Sequence, residues 1–426
     1  MTRNKFDRLI LDSNAMKIVS VEKAVVCAAL LGVLGCGVTE LNELEMDAED
    51  IPSLVSAEIN VEPFLTSTGV RFVAKDCYPS FSWDTVPVYM MFANRERVLN
   101  DKEVKKIASE TSFICIEKNH AFGPLGDAAL GLEHETRAFK AVNSEIKVLG
   151  YFNAALCYSF TRYTEMLSKK NIYQHPEIKA YLMIDPKTGE LLKHNGLYCL
   201  NTLNSEMRNW WSDAGVAIVR ESGASGIFID QMHGFYWLHA KEDKLTVADG
   251  LRDMMQQLKD KIGPDKILLA NNGANIEAIF EIADAFMFEH YELEVTHSKE
   301  RLLKDWKLME KIADAGKICV YRFGANHAFN APKKKRDLAE WSKKKLEFHL
   351  ALYLIGAQPY SYFQWGWGWK LDTGPLEDYP ELQRPLGKPL GKYARVDPKN
   401  WEFTRDFEHA RVWVDTDKRE AKIEWE

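Results

Sequence analysis

From residue 80 onward, short apolar runs alternate with longer amphipathic stretches. The runs lie at 86–92, 113–117, 147–152, 226–230, 266–271, 285–289, 317–322 and 359–364. Their largely unbroken apolarity suits strands buried on both faces. Stretches with helical spacing lie at 101–110, 205–222, 246–262, 276–283, 299–315 and 338–356, with Asn204 or Ser205 as a cap for the second. Strands alternating with helices predict a parallel sheet, and eight such strands close a barrel. The rival is a doubly wound open sheet. It usually carries a glycine-rich turn after its first strand, and none follows residue 92. The expected fold is therefore α/β: a (β/α)8 TIM barrel with a small C-terminal β extension.

Two segments depart from the pattern. The gap from Ala154 to Asn204 is too long for a plain crossover, and Tyr181 to Glu190 reads as a strand running into a turn. An inserted loop or hairpin is expected there, over the carboxyl end of the barrel, where loops shape access. Beyond Gly366 the chain becomes rich in Pro and Gly, then alternates like strands at 401–407, 410–414 and 420–425, with Asp415 to Lys418 as a turn. The predicted plan is 1–38 a signal segment, 39–79 a tether and N-terminal extension, 80–375 the barrel, and 376–426 a β cap.

The first segment is an address. Val25 to Val38 reads VVCAALLGVLGCGV, too short to span a bilayer but suited to a signal peptide, with Lys17 and Lys23 before it. Met16 opens a better signal than Met1 does. Val33-Leu34-Gly35-Cys36 resembles a bacterial lipoprotein cleavage site, which would make Cys36 the lipid-bearing residue. An exported chain is expected, periplasmic or at the cell surface, attached to the membrane through that lipid. An ordinary signal peptide or a buried helix with a chance cysteine is the plainer reading. Residues 39–63 are acidic and polar, as a tether would be.

Composition narrows the function. A net charge of -7 argues against nucleic acid as partner. The seven cysteines form no CxxC pair, so neither a zinc nor a redox motif is supported, and no cofactor is implied. Twelve tryptophans are a surplus. They serve core packing, or a cleft where flat rings cover sugar faces.

Barrel enzymes carry their chemistry at the carboxyl ends of strands. There the sequence places Asp230, after Gly226-Ile227-Phe228-Ile229, and Glu289, after Ala285-Phe286-Met287-Phe288. A carboxylate ending a buried strand needs a reason to be there. The plain reasons are a cap or a salt bridge. The sharper reason is glycoside hydrolysis, which needs two carboxylates facing one cleft. Asp230 is then expected as nucleophile and Glu289 as acid/base, with a retaining mechanism preferred. Glu117 is a weaker third candidate and Asp185 weaker still. Asp84 precedes its strand and reads as structural. Asn153, Asn271, Asn272, Arg322 and Gln364 end strands and are candidate sugar contacts, with loop or cap roles equally open. His233, Tyr291 and Glu292 flank the two acids. Trp365, Trp367 and Trp369 alternate with glycine in QWGWGWK and read as an exposed aromatic platform, or as a loop clamped over the barrel end. His120 and His134 show no metal-ligand spacing. No GxSxG nucleophile elbow occurs.

GIFIDQMHG, AFMFEHYE and the tail RPLGKPLGKYARVDPKNWEFTRDFEHARVWVD together resemble a group of barrel proteins catalogued as hypothetical glycoside hydrolases, the fifteenth such group. The likeness spans roughly Asp84 to Trp425. It implies a (β/α)8 barrel, a glycosidase activity and a bacterial extracytoplasmic setting; the reaction expected from the acid pair is cleavage of a polysaccharide or oligosaccharide. It supplies no substrate. The alternative from another class is a non-catalytic carbohydrate-binding surface lipoprotein on a barrel scaffold, which would tolerate loss of either acid. Oligomeric state is not legible.

Overall fold

The computed structural model describes residues 63–232, 238–239, 244–289, 298–324, 332 and 334–426, all within one compact unit, Glu62–Glu426. The candidates Cys36, His233, Tyr291 and Glu292 lie outside the described residues, as does the signal segment.

The eight apolar runs form eight strands close to their expected limits: β1 (Met90–Phe92), β2 (Phe113–Ile116), β3 (Lys147–Asn153), β4 (Gly226–Asp230), β5 (Ile267–Asn271), β6 (Ala285–Phe288), β7 (Ile318–Gly324) and β8 (Ser361–Gly366). Neighbours in sequence are neighbours in the sheet, and every pairing is parallel. The ring closes where Val88, just before β1, bridges Phe363 of β8. Tyr89 N–H donates to Phe363 O at 2.9 Å and Phe363 N–H to Pro87 O at 2.8 Å. Closure leaves no sheet edge, the arrangement of a TIM barrel.

Helices α1 (Asp101–Glu110), α2 (Ala128–Val142), α3 (Ser205–Ser222), α4 (Lys244–Ile262), α5 (Glu277–Phe280), α6 (Lys299–Asp314), α7 (Lys335–Lys343) and α8 (Leu346–Gly356) fill the crossovers. Asn204 is the N-cap of α3, its side chain accepting from Met207 N–H, which satisfies an orphan donor of the first turn. Helix α2 was not expected, and the single stretch expected at 338–356 is two helices.

Strand period two divides the side chains. One set faces the helices. The other fills the barrel: Tyr89 and Met91, Phe113 and Cys115, Leu149 and Tyr151, Phe228, Ile267 and Leu269, Ala285 and Met287, Ile318 and Val320, and Tyr362. Gly226 has a steric reason. A Cβ there would overlap the Ile267 backbone of the adjacent strand, so only glycine lets β4 and β5 approach this closely.

Residues 63–79 close the amino end. Phe72 and Tyr78 are buried, Phe72 stacks on Tyr360 with centroids 4.5 Å apart, and Tyr78 OH donates to Gly316 O at 3.0 Å. At the same end Asp284, buried, binds Lys75 at 2.5 Å and Lys259 at 2.7 Å and accepts Leu268 N–H at 2.9 Å.

The insert after β3 holds an antiparallel pair, Lys193–His194 with Leu197–Tyr198. Asn195 and Gly196 turn it, both at positive φ (51° and 81°), the backbone a two-residue primed turn requires. The C-terminal segment forms an antiparallel sheet, β9 (Ala394–Arg395), β10 (Glu402–Asp406), β11 (Ala410–Asp415) and β12 (Glu420–Trp425). Arg405 on β10 is buried and donates through Nη1 to the carbonyls of Leu354, Ile355 and Ala357. It thereby satisfies the otherwise unpaired carbonyls at the end of α8. Cys77, Cys115, Cys157, Cys199 and Cys319 are free thiols.

Candidate active site

The inward register continues one step past the apolar filling. Two residues beyond it, at the carboxyl ends of the strands, stand Ala93, Glu117, Asn153, Asp230, Asn271, Glu289, Arg322 and Gln364 in ring order. Period two dictates this layer once the inward face is known. Below it the barrel is apolar; in it, seven of the eight positions are polar or charged. This is the end of the barrel where TIM-barrel chemistry is found.

The layer is a hydrogen-bonded set centred on Asp230. Tyr151 OH donates to its Oδ2 at 2.5 Å, and Asn153 Nδ2 donates to the same oxygen at 3.2 Å. Gln231 N–H donates to Oδ1 at 2.7 Å and Asn271 Nδ2 to Oδ1 at 2.9 Å. The Asn271 amide nitrogen also donates to Glu289 Oε2. One NH2 group therefore touches both candidate carboxylates. Asn272 completes the brace, its Oδ1 accepting Glu289 N–H at 3.1 Å. Gln231 and Asn272 both have left-handed backbone (φ 65° and 52°). Asn tolerates that region; Gln does so at a cost of order 1 kcal/mol. Such strain persists where surrounding bonds over-determine the conformation, and here it turns the chain sharply behind each strand-end residue.

Electrostatics reinforce the grouping. Burial pushes the Asp230 carboxyl above its ordinary value, and the like charge of Glu289 adds to that. The Tyr151 and Asn271 hydrogen bonds and the Lys118 charge pull it back. Glu117 is also raised by burial, and is paired with Lys118. Lys118 Nζ lies over the Tyr151 ring at 4.7 Å and the Tyr158 ring at 5.3 Å. A hollow next to Tyr151 and Asn153 is lined also by Lys118 and by Tyr158, Phe160 and Thr161 of the insert.

A family model described as hypothetical glycosyl hydrolase family 15 matches residues 140–411, well over half of the chain. The chain belongs to this family. It is accordingly a glycosidase on a TIM barrel with additional antiparallel strands at its C-terminus. No curated protein matches it in sequence. Among solved structures it is similar to an α-amylase from Geobacillus thermoleovorans complexed with acarbose: 13% identity, TM-score 0.47, covering 79% of this chain and 87% of that one. It is also similar to the glycoside hydrolase domain of PelA from Pseudomonas aeruginosa (13%, TM-score 0.42, 62% and 91%) and to Aspergillus fumigatus Ega3 in complex with galactosamine (12%, TM-score 0.39, 68% and 94%).

Within this glycosidase, Asp230, Glu289, Asn153, Asn271, Asn272, Arg322 and Gln364 all come to the carboxyl end of the barrel, and Glu117 joins them. Their roles differ from one another. Asn153 is occupied by the protein: Oδ1 accepts Ala155 and Leu156 N–H, and Nδ2 serves Tyr151 and Asp230. It holds Asp230 rather than a sugar. Trp365 and Trp367 are not an exposed platform. Both are buried in the outer core: Trp365, one residue past the inward-facing Gln364, faces the helices and packs on His349 with centroids 5.0 Å apart. Only Trp369 of that run turns inward, half-buried, with the Arg322 guanidinium 3.8 Å from its ring centroid. Asp185 sits in the insert turn, its Oδ1 accepting Lys187 N–H. His120 is a buried structural residue paired with Glu135 at 2.8 Å. Sequence reasoning missed Tyr151 and Lys118. Tyr151 had a usable signal, since it lies two residues before Asn153 and so shares its face.

Proposed function

We propose that this glycosidase cleaves O-glycosidic bonds of a polysaccharide or oligosaccharide with retention of configuration. Asp230 attacks the anomeric carbon. As the new C1–O bond forms and the glycosidic C–O bond breaks, Glu289 gives its proton to the leaving oxygen. Water then attacks C1, passes a proton to Glu289 and releases Asp230. The observation that carries this reading is the Asn271 amide lying between the two carboxyl groups. Two hydrogen bonds from one nitrogen hold their nearest oxygens within roughly 6 Å. That supports the short separation of about 5–5.5 Å associated with retention rather than the longer one of inverting pairs. The four donors around Asp230 suit a carboxylate kept ionised and fixed in aim. Asn271 and Asn272 hold Glu289.

The test is turnover of a panel of plant and algal glycans by the unmutated protein, Asp230→Asn and Glu289→Gln. Each substitution is expected to lower turnover by about 10²–10⁴ or more, and the first-formed product is expected to keep its anomeric configuration by NMR. Binding without turnover in all three proteins, or inverted product, refutes the proposal.

We further infer that residues 16–38 export the chain and that Cys36 carries a lipid, placing the enzyme outside the cytoplasm. The apolar run before Gly35-Cys36 supports this. Cys36→Ser should move the protein from the membrane to the soluble fraction; an unchanged distribution rules the anchor out.

A further inference from the structure

One charged side chain in the layer has unused hydrogen-bonding capacity. Arg322 is completely buried, yet its Nε and Nη1 have no partner. Only Nη2 is engaged, donating to Gly368 O at 3.3 Å. Burial pulls the guanidinium down to about 10, and the charge of Glu289 opposes that. A buried cation with idle donors is costly unless something arrives to use them. Trp369 covers one face of the guanidinium. On the neighbouring strand Gln364 donates to Met91 O through Nε2, while its Oε1 is also unpartnered. Idle donors and an idle acceptor therefore stand together, one strand from Glu289 and in the same layer.

We propose that the site receives a glycan bearing an anionic group, a carboxylate or a sulfate ester, and that Arg322 binds that group. This rests on the hydrolase reading above. Glu289 must hold a proton before it can act as the acid. Once it does, the carboxylate whose charge supports the buried Arg322 guanidinium is neutral. A neutral hydroxyl would use one N–H and leave the charge unbalanced. An anionic oxygen uses the donors and balances the charge, and charge-assisted hydrogen bonds are roughly twice as strong as neutral ones. Gln364 Oε1 is then placed to accept from a hydroxyl of the same sugar.

The experiment measures calorimetric binding to Asp230→Asn, which holds substrate without turning it over. The ligands are matched pairs: oligouronates with their carboxyl-reduced forms, and sulfated oligosaccharides with their desulfated forms. The first pair tests carboxylate and the second sulfate. One anionic member is expected to bind roughly tenfold to hundredfold more tightly than its neutral counterpart. Adding Arg322→Gln should abolish that preference, and Arg322→Lys should keep part of it. If the Arg322 variants do not fold, the preference in Asp230→Asn must still shrink as salt rises. Equal binding within both pairs, or no binding of any anionic member, overturns the proposal. So does an equal loss for both members of a pair in the Arg322 variants, which marks a residue that merely holds Glu289. The two readings fail separately. Turnover of neutral glycans that needs Asp230 and Glu289 sinks the anionic substrate and leaves the hydrolase. Anion-selective binding with no turnover by the unmutated protein sinks the hydrolase and leaves the role of Arg322.

Discussion

Asp230 and Glu289 repel one another across Asn271, and a double-mutant cycle reads that repulsion directly. Two bonds from one amide nitrogen keep the nearest oxygens within roughly 5–6 Å of each other. At that distance two unit charges repel by about 3 kcal/mol at an effective dielectric of ~20, and by about 0.7 kcal/mol in bulk water. The half-buried site lies between these limits, so a coupling of roughly 1–3 kcal/mol is expected. The perturbation is Asp230→Asn, Glu289→Gln and both together, with stability measured by urea denaturation at pH 8. Each single substitution relieves the repulsion, and the double relieves it only once. The double variant should therefore be less stable than the sum of the singles predicts, by the coupling energy. The cycle cancels what each substitution does alone, including mismatched donors at Asp230 and the loss of the Glu289 charge near Arg322. The pH dependence has a definite sign. Asp230 is raised in the folded state, so its ionisation costs stability above that raised value and nothing once it is protonated. The coupling should be fully present at pH 8 and fade as pH falls through the raised value toward the ordinary carboxylate range. A coupling below about 0.5 kcal/mol at pH 8, inside ordinary additivity, or one that persists unchanged into acid, refutes the shared-site geometry.

Tyr151→Phe removes a donor that lowers the Asp230 pKa, so that pKa should rise by about one to two units. The acidic limb of a pH–rate profile should move to higher pH, and an unmoved limb means Asp230 is not the titrating group. Asp284→Ala strands Lys259 and the Leu268 N–H at the barrel's amino end. A loss of about 3–5 kcal/mol in urea midpoint analysis is expected, with half-exposed Lys75 adding little; a loss under 1 kcal/mol contradicts the buried-anchor role. Gly226→Ala forces β4 off the Ile267 backbone, and a drop of several kcal/mol, as overpacking at its upper end gives, should appear as a lower Tm. An unchanged Tm means the strands can separate freely.

The sequence by itself determined the barrel. Eight buried strands separated by helices have few ways to hide both faces, and a ring of eight is one of them. It also located Asp230, Glu289, Asn271 and Arg322, because a polar residue ending an apolar strand is visible as a break in the run. Only the tertiary structure decided what those residues do to one another. Asn271 holds both acids only because β5 lies between β4 and β6 with Asn271 level with them, and pairing register is a long-range property. Trp365 and Trp367 show the same limit from the other side. The alternation with glycine was visible, but which face of β8 looks inward was settled by its pairing with β1 and β7. That choice put Trp365 in the outer core, while Trp369 meets Arg322 beyond the end of β8, where the strand alternation has stopped. Tyr151 shared a face with Asn153 but made no break in the pattern, and its place beside Asp230 follows from the pairing of β3 with β4.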